Sequence, residues 1–217
     1  KVIGYALAID DVWMMLPGHF ISMFKKWVAN SNPQDQSIGF INNYIDFDQN
    51  FKYDDILFED NYIHNGQLDL AFIKIPKTWK RFRNIRRFFV DGKHYERRSD
   101  MESALCNVMD KSLNMQFCRS APINTFKVGG YWDGYSIPRG YSYPIGTQRG
   151  DCGSILFLTS PGETMGKIAG MHIAGNGRDV GYSVSITTSD LPPLVCVEPQ
   201  YNEDFIEIGP ANPRVHN

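Results

Sequence analysis

No apolar run in the 217 residues reaches the roughly 18 positions that a membrane-crossing helix needs, and no charged-then-apolar leader opens the chain. Cysteine is scarce: Cys106, Cys118, Cys152 and Cys196 stand far apart, with no Cys-x-x-Cys and no Cys/His pairing at ligand spacing. That pattern argues against a zinc site and for free thiols in a reducing compartment, with no metal and no cofactor expected. Net charge is small, -2 at neutral pH, which excludes a globally basic nucleic-acid binder and leaves only local patches. The chain also lacks the apolar-poor composition of a disordered protein; its hydrophobic content of 42% supports one large domain or two small lobes. It opens on Lys1 rather than methionine, which fits either trimming or release from a longer precursor.

What is present centres on Gly146-Thr-Gln-Arg-Gly-Asp-Cys-Gly-Ser154. Gly150 and Gly153 bracket Cys152, so the backbone can turn sharply there and leave amide N–H groups on one side. A thiol beside such a nest is what acyl transfer needs: a nucleophile for the carbonyl and donors for the oxyanion that develops. A loop cysteine between two turn glycines is the plain alternative, so the partners have to come from elsewhere in the chain.

Residues 2–16 read as β structure with a turn at Asp10-Asp11, and Pro17-Gly18 ends that run just before His19. A histidine past a strand end is a candidate general base. Phe20, Ile21, Met23, Phe24 and Trp27 have helical spacing and predict a short amphipathic turn that faces the core. Asp69 opens the strand Asp69-Leu-Ala-Phe-Ile-Lys-Ile75, where a carboxylate would orient the imidazole of His19. On spacing alone Glu59 and Asp60 rival Asp69, and His64 and His94 rival His19.

Between 31 and 65 short apolar runs alternate with Asn, Asp, Gly and Pro, the rhythm of an antiparallel barrel or sandwich rather than of βαβ units. Lys80, Arg81, Arg83, Arg86 and Arg87 then interleave with aromatics, a pattern that suits phosphate contact and base stacking, or simply a solvated face. Residues 91–112 turn polar and read as a connection between a lobe at 1–90 and a second β-rich lobe at 113–190, with a proline-rich tail at 191–217. His172 sits among small and apolar residues, where an imidazole is costly without a partner; it is either a bonded core histidine or a pocket donor.

Five blocks in order resemble the 3C-type cysteine proteases of picornaviruses and picorna-like viruses. They are His19 after the first hairpin, Leu68-Asp69-Leu70, Arg81-Phe82-Arg83-Asn84-Ile85, Gly150-Asp-Cys-Gly153 and Gly170-Met-His-Ile-Ala-Gly-Asn-Gly177. The wording of the last two leans toward viruses of insects, the iflaviruses or dicistroviruses. The resemblance covers roughly residues 2–186 and implies an all-β, chymotrypsin-like, two-lobed antiparallel β-barrel with short helices. It starts without the helix that usually opens the family's proteases.

The resemblance further implies a triad of Cys152 as nucleophile, His19 as base and Asp69 as orienting acid, with the amides of Gly150, Asp151 and Cys152 as the oxyanion hole. Thr147, His172, Ala174 and Gly175 match the pocket for a glutamine or glutamate before the scissile bond, and Tyr143 matches a tyrosine that keeps the pocket histidine neutral. The implied substrate is a viral polyprotein, cut in the host cytoplasm after release of the protease. The implied second partner is viral RNA, on Lys80, Arg81, Arg83, Arg86 and Arg87. Two departures stand out. Asp69 replaces the glutamate common at its position, and Asn84 replaces the aspartate of the family's basic motif.

Overall fold

A computed structural model describes residues 2–30, 36–42, 45–93, 99–109, 112–129, 135–162 and 164–194. His94, Cys196 and Gln200-Tyr201 lie outside them.

The first lobe is built on β2 (Trp13–Pro17), whose five residues are all buried. A strand covered on both faces reads as an unbroken apolar run rather than an alternation, which is why Trp-Met-Met-Leu-Pro looks as it does. The turn before it is closed by Asp10, whose Oδ1 accepts from the amides of Val12 and Trp13, both at 2.8 Å. This turn joins β2 to the two-residue β1 (Leu7–Ala8). On the other side β2 pairs with β6 (Leu70–Lys74), which pairs with β5 (Tyr62–Asn65), giving the sheet order β1-β2-β6-β5.

The hairpin β3 (Ser37–Asn42) and β4 (Phe47–Lys52) forms a separate two-stranded sheet, followed by α2 (Tyr53–Leu57). Where a short turn was expected after Gly18, the chain makes a twelve-residue helix, α1 (His19–Asn30). Its buried Phe20, Ile21 and Phe24 extend the spacing into a full stripe against the lobe core.

The second lobe is a closed six-stranded antiparallel barrel. Its strands are β7 (Met101–Met109), β8 (Ser112–Val128), β9 (Tyr135–Tyr143), β10 (Ile155–Leu158), β11 (Ile168–Gly175) and β12 (Gly181–Ser185), in the order β10-β11-β12-β9-β8-β7. β7 corrects the expected connection at 91–112. Ser103, Ala104, Leu105 and Cys106 are all buried, and the small and polar members of that run mask its strand character in one dimension. Among the described residues, strand pairing closes a barrel only in this lobe; the first lobe remains a four-stranded sheet with a separate hairpin.

One apolar cluster crosses from lobe to lobe. Met15, Leu70 and Phe72 from the first sheet pack with Phe89, Ile155, Met171, Ile173 and Val184 around the second barrel. At this joint β2, paired with β6, also contacts β11.

Candidate active site

The register of β2 on β6 sets Pro17 opposite Leu70, so the residues just beyond Pro17 meet the residue just before Leu70. His19 and Asp69 are thereby brought together from fifty positions apart. Asp69 Oδ1 accepts the backbone N–H of His19 at 2.6 Å, and Oδ2 accepts Nδ1–H of the ring at 2.7 Å. One buried carboxylate thus caps the first turn of α1 and orients the imidazole. Asp69 adopts a left-handed backbone with φ of 50°, a conformation that aspartate tolerates better than most residues. Gly18 N–H donates to the Asp69 carbonyl at 2.7 Å and ties the two segments a third time.

Burial lowers the affinity of His19 for a proton. Hydrogen bonds to Asp69 and Cys152 and the negative charges of both more than reverse this, and the imidazole is pushed up to about 10. Cys152 therefore lies near enough to His19 to raise its affinity for a proton, and its Sγ donates to the carbonyl of Ile173 at 3.4 Å. Ile173 is the extra residue where the β11–β12 register shifts between His172 and Ala174, and the bulge re-aims its carbonyl.

The cysteine loop takes the conformation that its glycines suggest, with φ of 108° at Gly150 and 94° at Gly153. It is laced to β11 by Gly153 N–H to the His172 carbonyl at 2.8 Å and His172 N–H to the Ser154 carbonyl at 2.7 Å. On its other side Tyr5 N–H donates to the Cys152 carbonyl at 2.8 Å. Of the three amides expected to serve an oxyanion, that of Asp151 is committed within the turn to the Gln148 carbonyl at 3.1 Å. This corrects the expected trio. Among the described residues, the amides of Gly150 and Cys152 carry no partner.

His172 is 1% exposed. Burial pulls its proton affinity down to about 4; the Asp151 charge and a bond to the Tyr182 backbone oppose this, and His19 adds to it. Its Nδ1 lies 2.7 Å from the Tyr143 hydroxyl, which lies 2.9 Å from Ser183 Oγ. Burial pushes the Tyr143 phenol far up, so it stays protonated. If that hydroxyl donates to Nδ1 and accepts from Ser183, the proton of the neutral ring sits on Nε2.

Thr147 is buried against Gly175: a Cβ at Gly175 would fall 2.0 Å from Thr147 Oγ1. Ala174, half-buried, pairs with Tyr182 across the same wall. Ser183 is the pocket member that sequence reasoning missed, although it lies inside the polar alternation of Gly181-Tyr-Ser-Val-Ser185.

Of the rival residues, His64 comes near the site, its Nε2 2.9 Å from where a Cβ on Gly18 would fall, but the ring bonded to Asp69 is that of His19. Glu59 and Asp60 form an exposed 3-10 turn, and His64 is an exposed residue of β5. The basic run is split. Lys80, Arg81, Arg83 and Arg87 are exposed, but Arg86 is 14% exposed and held. Its Nε donates to Asp10 Oδ2 at 2.7 Å and its Nη1 to the Pro192 carbonyl at 2.5 Å. Of the aromatics expected to stack on bases, Phe88 is exposed, while Trp79 and Phe82 are engaged inside. Trp79 packs on Phe47 and Phe51 at 5.3 and 5.4 Å between ring centroids, and Phe82 packs on Phe47 at 5.5 Å. Among the described residues no cluster of three or more His, Cys, Asp or Glu side chains could hold a metal.

A family model described as 3C cysteine protease (picornain 3C) matches residues 43–177. The replicase polyprotein of Acute bee paralysis virus (strain Rothamsted) is 39% identical over 57 residues, which are 26% of this chain and 3% of that protein. The chain thus corresponds to a small part of that relative's length. A mutant tobacco etch virus protease superposes with a TM-score of 0.53 at 17% identity, over 84% of this chain and 66% of that one. A catalytically inactive tobacco etch virus protease complexed with substrate gives 0.52 at 18% identity, over 84% and 70%. The fold is the chymotrypsin-like one of these proteases.

Proposed function

The chain belongs to the 3C cysteine protease (picornain 3C) family, and from that premise we propose a viral endopeptidase that cuts a polyprotein after glutamine or glutamate. The observation that carries this reading is the meeting of His19, Asp69 and Cys152 at the joint of the two lobes, with His19 bonded to Asp69 at 2.7 Å and in reach of the thiol.

The chemistry follows from the geometry. His19 takes the proton of Cys152, and the thiolate attacks the scissile carbonyl carbon. The electron pair displaced onto the carbonyl oxygen meets the amides of Gly150 and Cys152. Collapse of that intermediate breaks the C–N bond, His19 delivers its proton to the leaving amine, and a thioester remains. Water, deprotonated by His19, hydrolyses the thioester and returns the thiol. Asp69 stays ionised and steadies the imidazolium throughout.

Specificity rests on His172. A neutral ring with its proton on Nε2 offers one donor to the side-chain carbonyl of a glutamine, and Thr147 lies on the adjoining wall next to Gly175. A smaller residue in the same place would leave the buried donor unpaired, which is how such a pocket rejects it. Release of the protease from a polyprotein and action in the host cytoplasm complete the reading; among the described residues no helix is long and apolar enough to cross a membrane. RNA contact through Lys80, Arg81, Arg83 and Arg87 is a second reading, favoured by the exposure of those four cations on one segment.

The deciding experiment compares the wild-type chain with Cys152→Ala on a fluorogenic peptide carrying glutamine before the scissile bond. Turnover by the wild type, absent in a folded Cys152→Ala, is the expected result. Equal turnover by both removes Cys152 as nucleophile.

A further inference from the structure

The peptide group between Asp151 and Cys152 is held from behind. Asp151 O accepts two hydrogen bonds from Ser154, one from its N–H at 3.0 Å and one from its Oγ at 2.7 Å. A trans peptide directs its C=O and N–H to opposite sides, so anchoring that carbonyl fixes the direction of the Cys152 N–H. Rotating this peptide would break both bonds, turn the Cys152 N–H toward the fully buried Ser154 and leave the Ser154 N–H without its acceptor, a cost well above that of one ordinary hydrogen bond.

A hydroxyl has a single proton, and something must decide where it goes. Asn107 Nδ2 donates to Ser154 Oγ at 3.1 Å, which occupies a lone pair and turns the proton toward Asp151. The Oδ1 of Asn107 in turn accepts from Asn114 Nδ2 at 3.3 Å. The relay therefore runs one way, from Asn114 on β8 through Asn107 on β7 to Ser154 and the carbonyl behind the nucleophile. The rest of the turn is fixed as well, since Asp151 Oδ2 accepts the Gln148 N–H at 2.8 Å.

We propose that Ser154 and Asn107 are positioning residues for the oxyanion site: their hydrogen bonds to each other and to Asp151 O hold the Cys152 amide in the orientation that meets the developing charge. The inference rests on the endopeptidase reading above. It adds a link from the β7–β8 ribbon to the reacting centre.

The test uses the full chain and three readouts on wild type, Ser154→Ala and Asn107→Asp. These are kcat and KM on the glutamine peptide, affinity for an aldehyde of the same peptide, and the rate of Cys152 alkylation by iodoacetamide. The aldehyde forms a hemithioacetal whose oxygen uses the oxyanion donors. Iodoacetamide displaces iodide at carbon and does not.

Losing an oxyanion donor outright costs about 10²–10³ in kcat. A donor that is merely loosened should cost about tenfold, with KM unchanged, aldehyde affinity weakened in parallel and alkylation untouched. Asn107→Asp should match Ser154→Ala, because a carboxylate only accepts and competes with Asp151 for the serine proton. As a half-buried residue it also serves if Ser154→Ala fails to fold. Unchanged kcat, or equal losses in aldehyde affinity and alkylation rate, overturns the proposal. A wild type that cleaves nothing overturns the endopeptidase reading, and this inference with it.

Discussion

Two histidines at one site, His19 half-buried and His172 buried, are driven in opposite directions, and the difference lies in what each ring faces. His19 has the Asp69 carboxylate and the Cys152 sulfur against it, and is pushed up to about 10 despite burial. For His172 burial outweighs the Asp151 charge and the bond to the Tyr182 backbone, the charge of His19 adds to it, and the ring, with the Tyr143 hydroxyl on Nδ1, falls to about 4. The stability consequences have opposite signs. The His19 contribution is fully present below the unfolded value near 6.5 and is lost as pH rises through about 10. For His172 the unfolded chain takes up a proton that the folded one refuses, so stability falls as pH drops from about 6.5 toward 4. Urea midpoints across this range should show a shallower acid slope in His172→Gln, by up to about 1.4 kcal/mol per pH unit. Asp69→Asn should flatten the alkaline limb instead. A His172→Gln profile parallel to wild type below pH 6.5 would dispose of the neutral imidazole.

At the scale of elements, the basic run shows how one segment serves two ends. Trp79 and Phe82 enter the aromatic core of the first lobe, and Arg86 turns inward at the start of a 3-10 turn (Arg86–Phe88). What remains outside is Lys80, Arg81, Arg83 and Arg87, of which Arg81 makes a loose exposed pair with Asp11 at 3.7 Å. Such a pair is worth little and does not withdraw the cation from a ligand. On the RNA reading, Arg81→Glu with Arg83→Glu abolishes salt-sensitive binding of a single-stranded RNA while leaving peptide cleavage as it was. Binding indifferent to added salt, or undetectable in the wild type, removes that reading and leaves the protease intact.

At the scale of the molecule, the proposed triad spans a joint, so its geometry depends on how the lobes are held. Besides the shared apolar cluster, Arg86 links the Asp10 turn of the first sheet to Pro192, beyond the second barrel. Removing it leaves a buried carboxylate with only the two turn amides, and Arg86→Ala should destabilise the fold by about 3 kcal/mol. Arg86→Lys should recover little, because one ammonium does not reproduce the two-armed geometry. The check is a urea titration beside kcat/KM. Destabilisation of under about 0.5 kcal/mol would show that the apolar joint alone sets the lobes.

The glycine-bracketed thiol, the strand-and-turn rhythm and the order of blocks are local properties, legible residue by residue. The left-handed turns at Gly150 and Gly153 need only the residues themselves. What the tertiary structure alone decided is partnership. His19 rather than His64 meets Asp69 because β2 and β6 pair in one register, and a register is a property of two segments fifty residues apart. Arg86 and Phe82 look like any other members of a basic aromatic run until a core forms beside them. β7 is recognisable as a strand only once a barrel closes around its small and polar residues. Local preference reaches a few residues along the chain, whereas burial and pairing are settled by what the rest of the chain brings alongside.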